Sequence, residues 1–194
     1  MTARISALPA LPVLPAVVQP DWPAIWSDIL KDEVLFMRLL RHRKYLGHGS
    51  FGVVYEVAGA AVKIGCIDIR EIELQRWAHE HFHRALPVWA YAPAVKVPKV
   101  ISHNSCPIHG YAGLPANDWD CQCGAPMDVM VMPLAKPANH LWDTSKNILR
   151  PVIDDLYVRF SFVWDQSPRN ILTYHGRLVM ADFGNPESDS ALFW

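Results

Sequence analysis

Two clusters of residues in this chain have the types and spacing for work on phosphate. Upstream, Gly47, Gly49 and Gly52 fall at fixed offsets in LGHGSFGVVYEVAGAAVKI, and Lys63 stands near the end of that stretch inside an apolar run. Glycine has no Cβ, so such a loop lets main-chain amides come close to phosphate oxygens and face them. Taken alone, the stretch reads equally well as a glycine-rich hairpin that ends in a charge. Downstream, four residues separate Asp165 from Asn170 in DQSPRN, and Asp182 precedes Phe183-Gly184. At that spacing the aspartate can orient a substrate hydroxyl while the asparagine binds a metal ion, and a second aspartate one hairpin later supplies another metal ligand. Phosphoryl transfer leaves a protein little covalent work, so aligning the nucleophile and neutralising charge is the chemistry such groups would do.

These residues need elements to hold them. Residues 21–44 carry Ile25, Ile29, Leu30, Val34, Leu35, Leu39 and Leu40 at helical spacing, with Asp21 as N-cap and Pro23 in the first turn, which predicts one helix. Tyr45 to Ile64 reads as two or three strands with Gly59 at a turn. Residues 67–86 predict a helix. Residues 98–132 predict strand (PKVIS), long insertion and strand (MDVMVM). Residues 147–165 predict a second long helix with Pro151 in an early turn, and ILTYHGRLVMADFG a hairpin turning at His175-Gly176. A strand-rich half therefore precedes a helix-led half, and MPLAKPANH is the expected hinge. The fold class expected is α+β.

Gly47 to Val54 matches G-x-G-x-x-G-x-V, Ala61-Val62-Lys63-Ile64 matches the strand that presents a phosphate-binding lysine, and Asp165…Asn170 and Asp182-Phe183-Gly184 follow in order. From Tyr45 to about Gly184 the chain thus resembles the protein-kinase-like fold. The resemblance implies a two-lobed protein with a β-rich N-lobe over residues 21–132 and a much reduced helical C-lobe over residues 133–194. ATP would lie between the lobes. It would be held by Gly47, Gly49, Ser50, Phe51, Gly52, Val54, Ala61 and Lys63, with its adenine at a hinge of Met132, Pro133 and Leu134. Asn170 and Asp182 would bind Mg²⁺, and Asp165 would act on the substrate hydroxyl. Glu71 is the expected ion-pair partner of Lys63, with Glu73 as the alternative one turn of uncertainty away.

The departures shape the expected function. Val163-Trp164 stands where the family has His-Arg, and Ser167 where it has a phosphate-contacting lysine. The sequence runs ten residues beyond Gly184, which leaves out the family's Ala-Pro-Glu motif and later helices. In that trimming the chain looks most like the miniature kinase-like proteins carried by some bacteriophages. The expected activity is ATP- and Mg-dependent transfer to a protein, at Ser or Thr. The alternative is a pseudokinase-like module that binds nucleotide and a host protein as inhibitor or scaffold. A small-molecule kinase of the aminoglycoside or choline type ranks last, because its substrate pocket needs a larger C-lobe.

A second site is expected in the insertion at about residues 103–124. Cys106, His109, Cys121 and Cys123 could close a tetrahedral structural Zn²⁺ site, with His103 as a substitute ligand. Cys66, alone after the lysine strand, is expected to be a small core residue. Trp26, Trp77, Trp142 and Trp164 are expected to be core residues on helices.

Composition limits the partners. At 51% hydrophobic, 19% charged and a net charge of −1, the chain has no concentrated basic face for nucleic acid. It also lacks the roughly 18 uninterrupted apolar residues of a membrane span. Pro9, Pro12 and Pro15 make residues 1–20 a proline-rich arm rather than a secretory signal core. With four cysteines and no export signal, the expected location is a reducing cytoplasm, the host's if the chain is phage-encoded. Apolar surface beside the small C-lobe could be covered by self-association or by the arm.

Overall fold

A computed structural model describes residues 20–49, 52–97 and 126–184 of the chain. The architecture is α+β. Helices α1 (Trp22–Lys31) and α2 (Glu33–Leu40) come first, followed by strands β1 (Lys44–Gly49), β2 (Gly52–Val57) and β3 (Ala60–Gly65). Helix α3 (Ile69–Phe82) leads to β4 (Ala90–Val95) and β5 (Met127–Pro133). The second half holds β6 (Lys136–Pro137), α4 (Trp142–Phe160), β7 (Ile171–Tyr174) and β8 (Arg177–Met180). The first five strands form an antiparallel sheet in the order β1-β2-β3-β5-β4, and the last three form a small sheet in the order β6-β7-β8.

Several elements differ from the sequence expectation for local reasons. The helix expected over 21–44 is two helices, because Asp32 leaves helical backbone (φ −95, ψ 90) and its carboxylate accepts from the Leu35 amide at 3.0 Å. One aspartate thus ends α1 and caps α2. Helix α3 is shorter than 67–86 and stops where His83 turns left-handed at φ 54. Helix α4 starts and ends earlier than 147–165. It stops at left-handed Ser161, so residues 161–165 run free of the helix and carry Asp165. Pro151 therefore lies mid-helix, at an exposed position. Strand β4 was hidden by the proline in AYAPAV and includes a register shift between Ala92 and Val95. The PKVIS strand and the Cys106, His109, Cys121 and Cys123 cluster lie outside the described residues, as do Ser50, Phe51 and the proline-rich arm.

Strand alternation places the lysine. On β3, Val62 and Ile64 pack toward α1 and α2 with Trp26, Phe36, Leu40, Val129 and Val131. Ala61 packs on the opposite face with Ile72, Leu86, Met130 and Met132. Lys63 follows the parity of Ala61 and so points toward α3. Two hairpins keep the frame tight through left-handed pairs, Ala58 (φ 47) with Gly59 (φ 80) and His175 (φ 47) with Gly176 (φ 74). A third core joins Leu74 and Ala78 of α3 to Leu149, Val152 and Leu156 of α4 and to Phe162, Trp164, Met180 and Phe183. The two halves are also tied directly. The Met180 amide donates to Arg84 O at 2.7 Å, Arg84 Nη1 donates to Leu178 O at 3.3 Å, and Ala85 bridges Met180 in parallel.

Gly52 packs too closely for a side chain. A Cβ there would lie 2.9 Å from the backbone oxygen of Ile64, whereas one on Gly47 would meet nothing within 4 Å. Gly52→Ala is expected to destabilise the fold by about 1–3 kcal/mol in urea unfolding, with Gly47→Ala within about 0.5 kcal/mol of the parent.

Candidate active site

The centre of the site is Lys63. Its Nζ lies 2.5 Å from Glu71 Oε1 and 3.0 Å from Asp182 Oδ1, so residues separated by 119 positions in sequence meet at one ammonium. Glu71 reaches it from the first turn of α3, which Asp68 caps by accepting from the Arg70 amide at 2.9 Å. Glu73, the alternative partner, faces solvent. The Lys63 and Glu71 side chains are almost wholly buried, while that of Asp182 is 37% exposed. That difference sets which group is open to a ligand.

Burial and charge oppose each other here. Burial alone would lower the Lys63 pKa, but the fields and hydrogen bonds of Glu71 and Asp182 outweigh it and raise the pKa. For Asp182, burial pushes upward and Lys63, the Gly184 amide and Arg169 pull further downward, so its carboxyl is held below the usual range. Burial keeps Glu71 above its ordinary value despite Lys63. Asp182 is thus an ionised, partly open carboxylate. Its backbone is left-handed at φ 57, an uncommon conformation for a residue other than glycine and one that clusters at functional sites.

The loop before β7 is held by its own hydrogen bonds. Asn170 Nδ2 donates to Asp165 O at 3.0 Å and to Asp165 Oδ2 at 3.1 Å, and the Ser167 amide donates to Asp165 Oδ1 at 3.1 Å. Both bonds to Asp165 come from the Asn170 nitrogen, so its Oδ1 is the atom suited to a cation. Trp164 Nε1 donates to Ala181 O at 3.0 Å, and the Ala181 amide donates to Asn170 O at 2.9 Å. These bonds fix the loop against the residue before Asp182. Phe183 is buried and stacks on Phe162 at 6.1 Å, which anchors the other side of Asp182.

Other expected ligand residues are also brought together. Val54 pairs with Lys63 and Ala61 with Met132 in strand register, and Val54, Ala61, Met132 and Leu134 share one apolar cluster. Such a cluster suits a flat apolar base. Gly47, Gly49 and Gly52 sit on β1 and β2, where Gly47 pairs with Val54 and Gly49 with Gly52.

The sequence reading passed over Arg169. Its Nη2 lies 3.7 Å from Asp165 Oδ2, and its field reaches Asp182, so it supplies a cation on the open side of the site. Its position four residues after Asp165 was the available signal. Trp164 is buried as expected but on an extended segment, not a helix. Trp26 is buried in α1, and Trp77 and Trp142 are half-buried. Cys66 corrects the expectation of a core residue: it is exposed just after β3, where the chain leaves the sheet.

Among the described residues, no three His, Cys, Asp or Glu side chains gather as a metal-binding group. The pair Asp182 and Asn170 fits Mg²⁺ only in the mode where a carboxylate and substrate phosphates share the coordination. An open cavity of about 500 Å³ beside α3 is lined by Asp68, Glu71 and Asp128 with no lysine or arginine, which suits phosphate poorly. No described helix is long and apolar enough to cross a membrane. No protein-family model, curated protein or solved structure matches the chain.

Proposed function

We propose that this chain is an ATP- and Mg²⁺-dependent phosphotransferase acting on a protein hydroxyl, built as a reduced two-lobed protein-kinase-like fold. The observation that carries this reading is the convergence of Lys63, Glu71 and Asp182. A buried ammonium held by two carboxylates is a costly arrangement of the kind that gathers at functional sites. The hairpin glycines, the apolar cluster at Met132 and the Asp165–Asn170 loop stand in the order and on the elements that this chemistry requires.

In this reading Lys63 contacts the α- and β-phosphates and Glu71 keeps it in place. Asp165 receives the proton of the substrate hydroxyl, whose oxygen bonds to the γ-phosphorus as the bond to the bridging oxygen breaks and ADP leaves. Asp182 and Asn170 would hold Mg²⁺, which when bound offsets phosphate charge. Arg169 provides the positive charge that Ser167 cannot.

The second reading is a module that binds nucleotide and a host protein without transfer. It is favoured by Ser167 in place of a lysine and by Val163-Trp164 before Asp165. Both readings require nucleotide binding, so that is tested first. Mg-ATP at about 100 times its Kd is expected to add about 2.7 kcal/mol to stability. The gain should be seen as a rise in Tm that ATP without Mg²⁺ does not match and that Asp182→Asn removes. Equal Tm values with and without Mg-ATP would overturn both readings.

A further inference from the structure

Gln75 does not fit its surroundings. It is fully buried, one helical turn after Glu71 on the face of α3 that meets the sheet. Around it, Ile72, Leu86, Met130 and Met132 form an apolar cluster. Its Nε2 donates to Leu86 O at 3.0 Å and lies 3.1 Å from Met132 Sδ. Its Oε1 is buried with no partner among the described residues. Turning the amide over would set two acceptors against each other at Leu86 O, so the orphan oxygen follows from that carbonyl. A leucine or methionine would fill the same space without a buried amide oxygen, at the cost of leaving Leu86 O without its Nε2 donor. A buried unpaired acceptor in an apolar cluster marks a place where something other than stability is being met.

What an amide adds over a leucine is direction. Apolar packing lets a helix slide or rotate by small amounts, whereas a hydrogen bond to a fixed carbonyl sets its rotation about its axis. Leu86 lies in the segment entering β4, and Met132 lies in β5 two residues from Met130, the register partner of Lys63. Gln75 therefore links α3 to the strand end next to the lysine and sets where Glu71, one turn earlier, arrives. Arg84 pins the far end of the same segment to the β7–β8 hairpin.

We propose that Gln75 is a positioning residue: its amide fixes the rotation of α3 through Leu86 O and Met132 so that Glu71 stays on Lys63. The inference concerns the pairing itself and stands whether or not the chain transfers phosphate. The test is the rate at which an amine-acylating reagent modifies Lys63 in the full-length protein, read by peptide mass spectrometry. Four chains are compared: the parent, Gln75→Leu, Glu71→Gln and the double variant.

If Gln75 acts through Glu71, Gln75→Leu alone speeds Lys63 acylation about tenfold, as expected when side chains of one network are coupled and the buried amine is released from its partner. Added to Glu71→Gln, it changes the rate less than about twofold, because the partner it positions is already gone. A merely structural role predicts equal acceleration in both backgrounds, and that result overturns the proposal, as does no acceleration in either. Should Gln75→Leu not fold, the volume-matched Gln75→Met is read the same way. Failure of both to fold also overturns it, since the amide's task would then be to hold the fold rather than to align one pair.

Discussion

Lys63→Met should cost about 3–5 kcal/mol of stability at neutral pH, the expected loss when one partner of a buried ion pair is removed and the other is left uncompensated. In the parent protein Lys63 lies against Glu71 and Asp182, and its side chain is only 8% exposed. Without it, two carboxylates face each other across a largely buried space. The pH dependence gives the result a sign. The raised folded pKa of Lys63 contributes stability that is complete below its ordinary value of 10.5 and is lost as pH rises through the folded value. The lowered pKa of Asp182 contributes stability present above its ordinary 3.8 and lost as pH falls through the folded value. Between those limits the parent keeps both contributions. In the variant Glu71, already raised by burial, loses its opposing cation and rises further. A group raised on folding stabilises when protonated, so the variant should regain more stability than the parent as pH falls from neutral toward the ordinary carboxylate range. Urea midpoints across that range measure the difference, and a deficit that is constant with pH would remove the electrostatic explanation.

The second large effect falls on catalysis and separates two aspartates that the sequence places alike. Asp165 is exposed, bonded to Asn170 and the Ser167 amide, and makes no contact with Lys63 that the structure shows. Asp165→Asn should therefore lower phosphoryl transfer by about 10²–10⁴-fold, the range for a general base, while leaving Mg-ATP affinity within about twofold. Asp182→Asn should instead weaken Mg-dependent nucleotide binding as well as transfer. Asparagine is the suitable probe there because it tolerates the left-handed backbone at φ 57, where alanine would add strain. Identical losses of binding in both variants would contradict the division of roles. Arg169→Ala, affecting the open cation near Asp165, should reduce transfer by about tenfold or more with little change in Tm, as expected for an exposed group that stabilises developing charge.

Much of this site was legible because its parts are local in sequence. The spacing within Gly47–Val54, Asp165–Asn170 and Asp182–Gly184 survives any error in helix boundaries. Glu71 is expected over Glu73 from the resemblance, with apolar Ile72 and Leu74 beside it, and both of those neighbours are buried. Features that depend on side-chain direction across long separations were not legible. Arg169 stands four residues after Asp165, a local spacing that signals their pairing, whereas nothing local to Gln75 shows that it crosses to Leu86 and Met132. The double helix at residues 22–40 was missed because a continuous apolar period hides a cap, and β4 because a proline at an exposed position does not prevent edge pairing. The α4 boundary was placed late because Phe160, Phe162 and Trp164 continue an apolar pattern after the left-handed Ser161 has already ended the helix.

The central claim is that the chain moves phosphate, and the most direct measurement is transfer of labelled γ-phosphate from Mg-ATP. The full-length protein would be incubated with itself and with a bacterial lysate, beside Asp165→Asn and Asp182→Asn. The account predicts labelled protein with the parent and about 10²-fold less or none with either variant. Label that both variants still transfer, or none from a parent that Mg-ATP demonstrably stabilises, would contradict it.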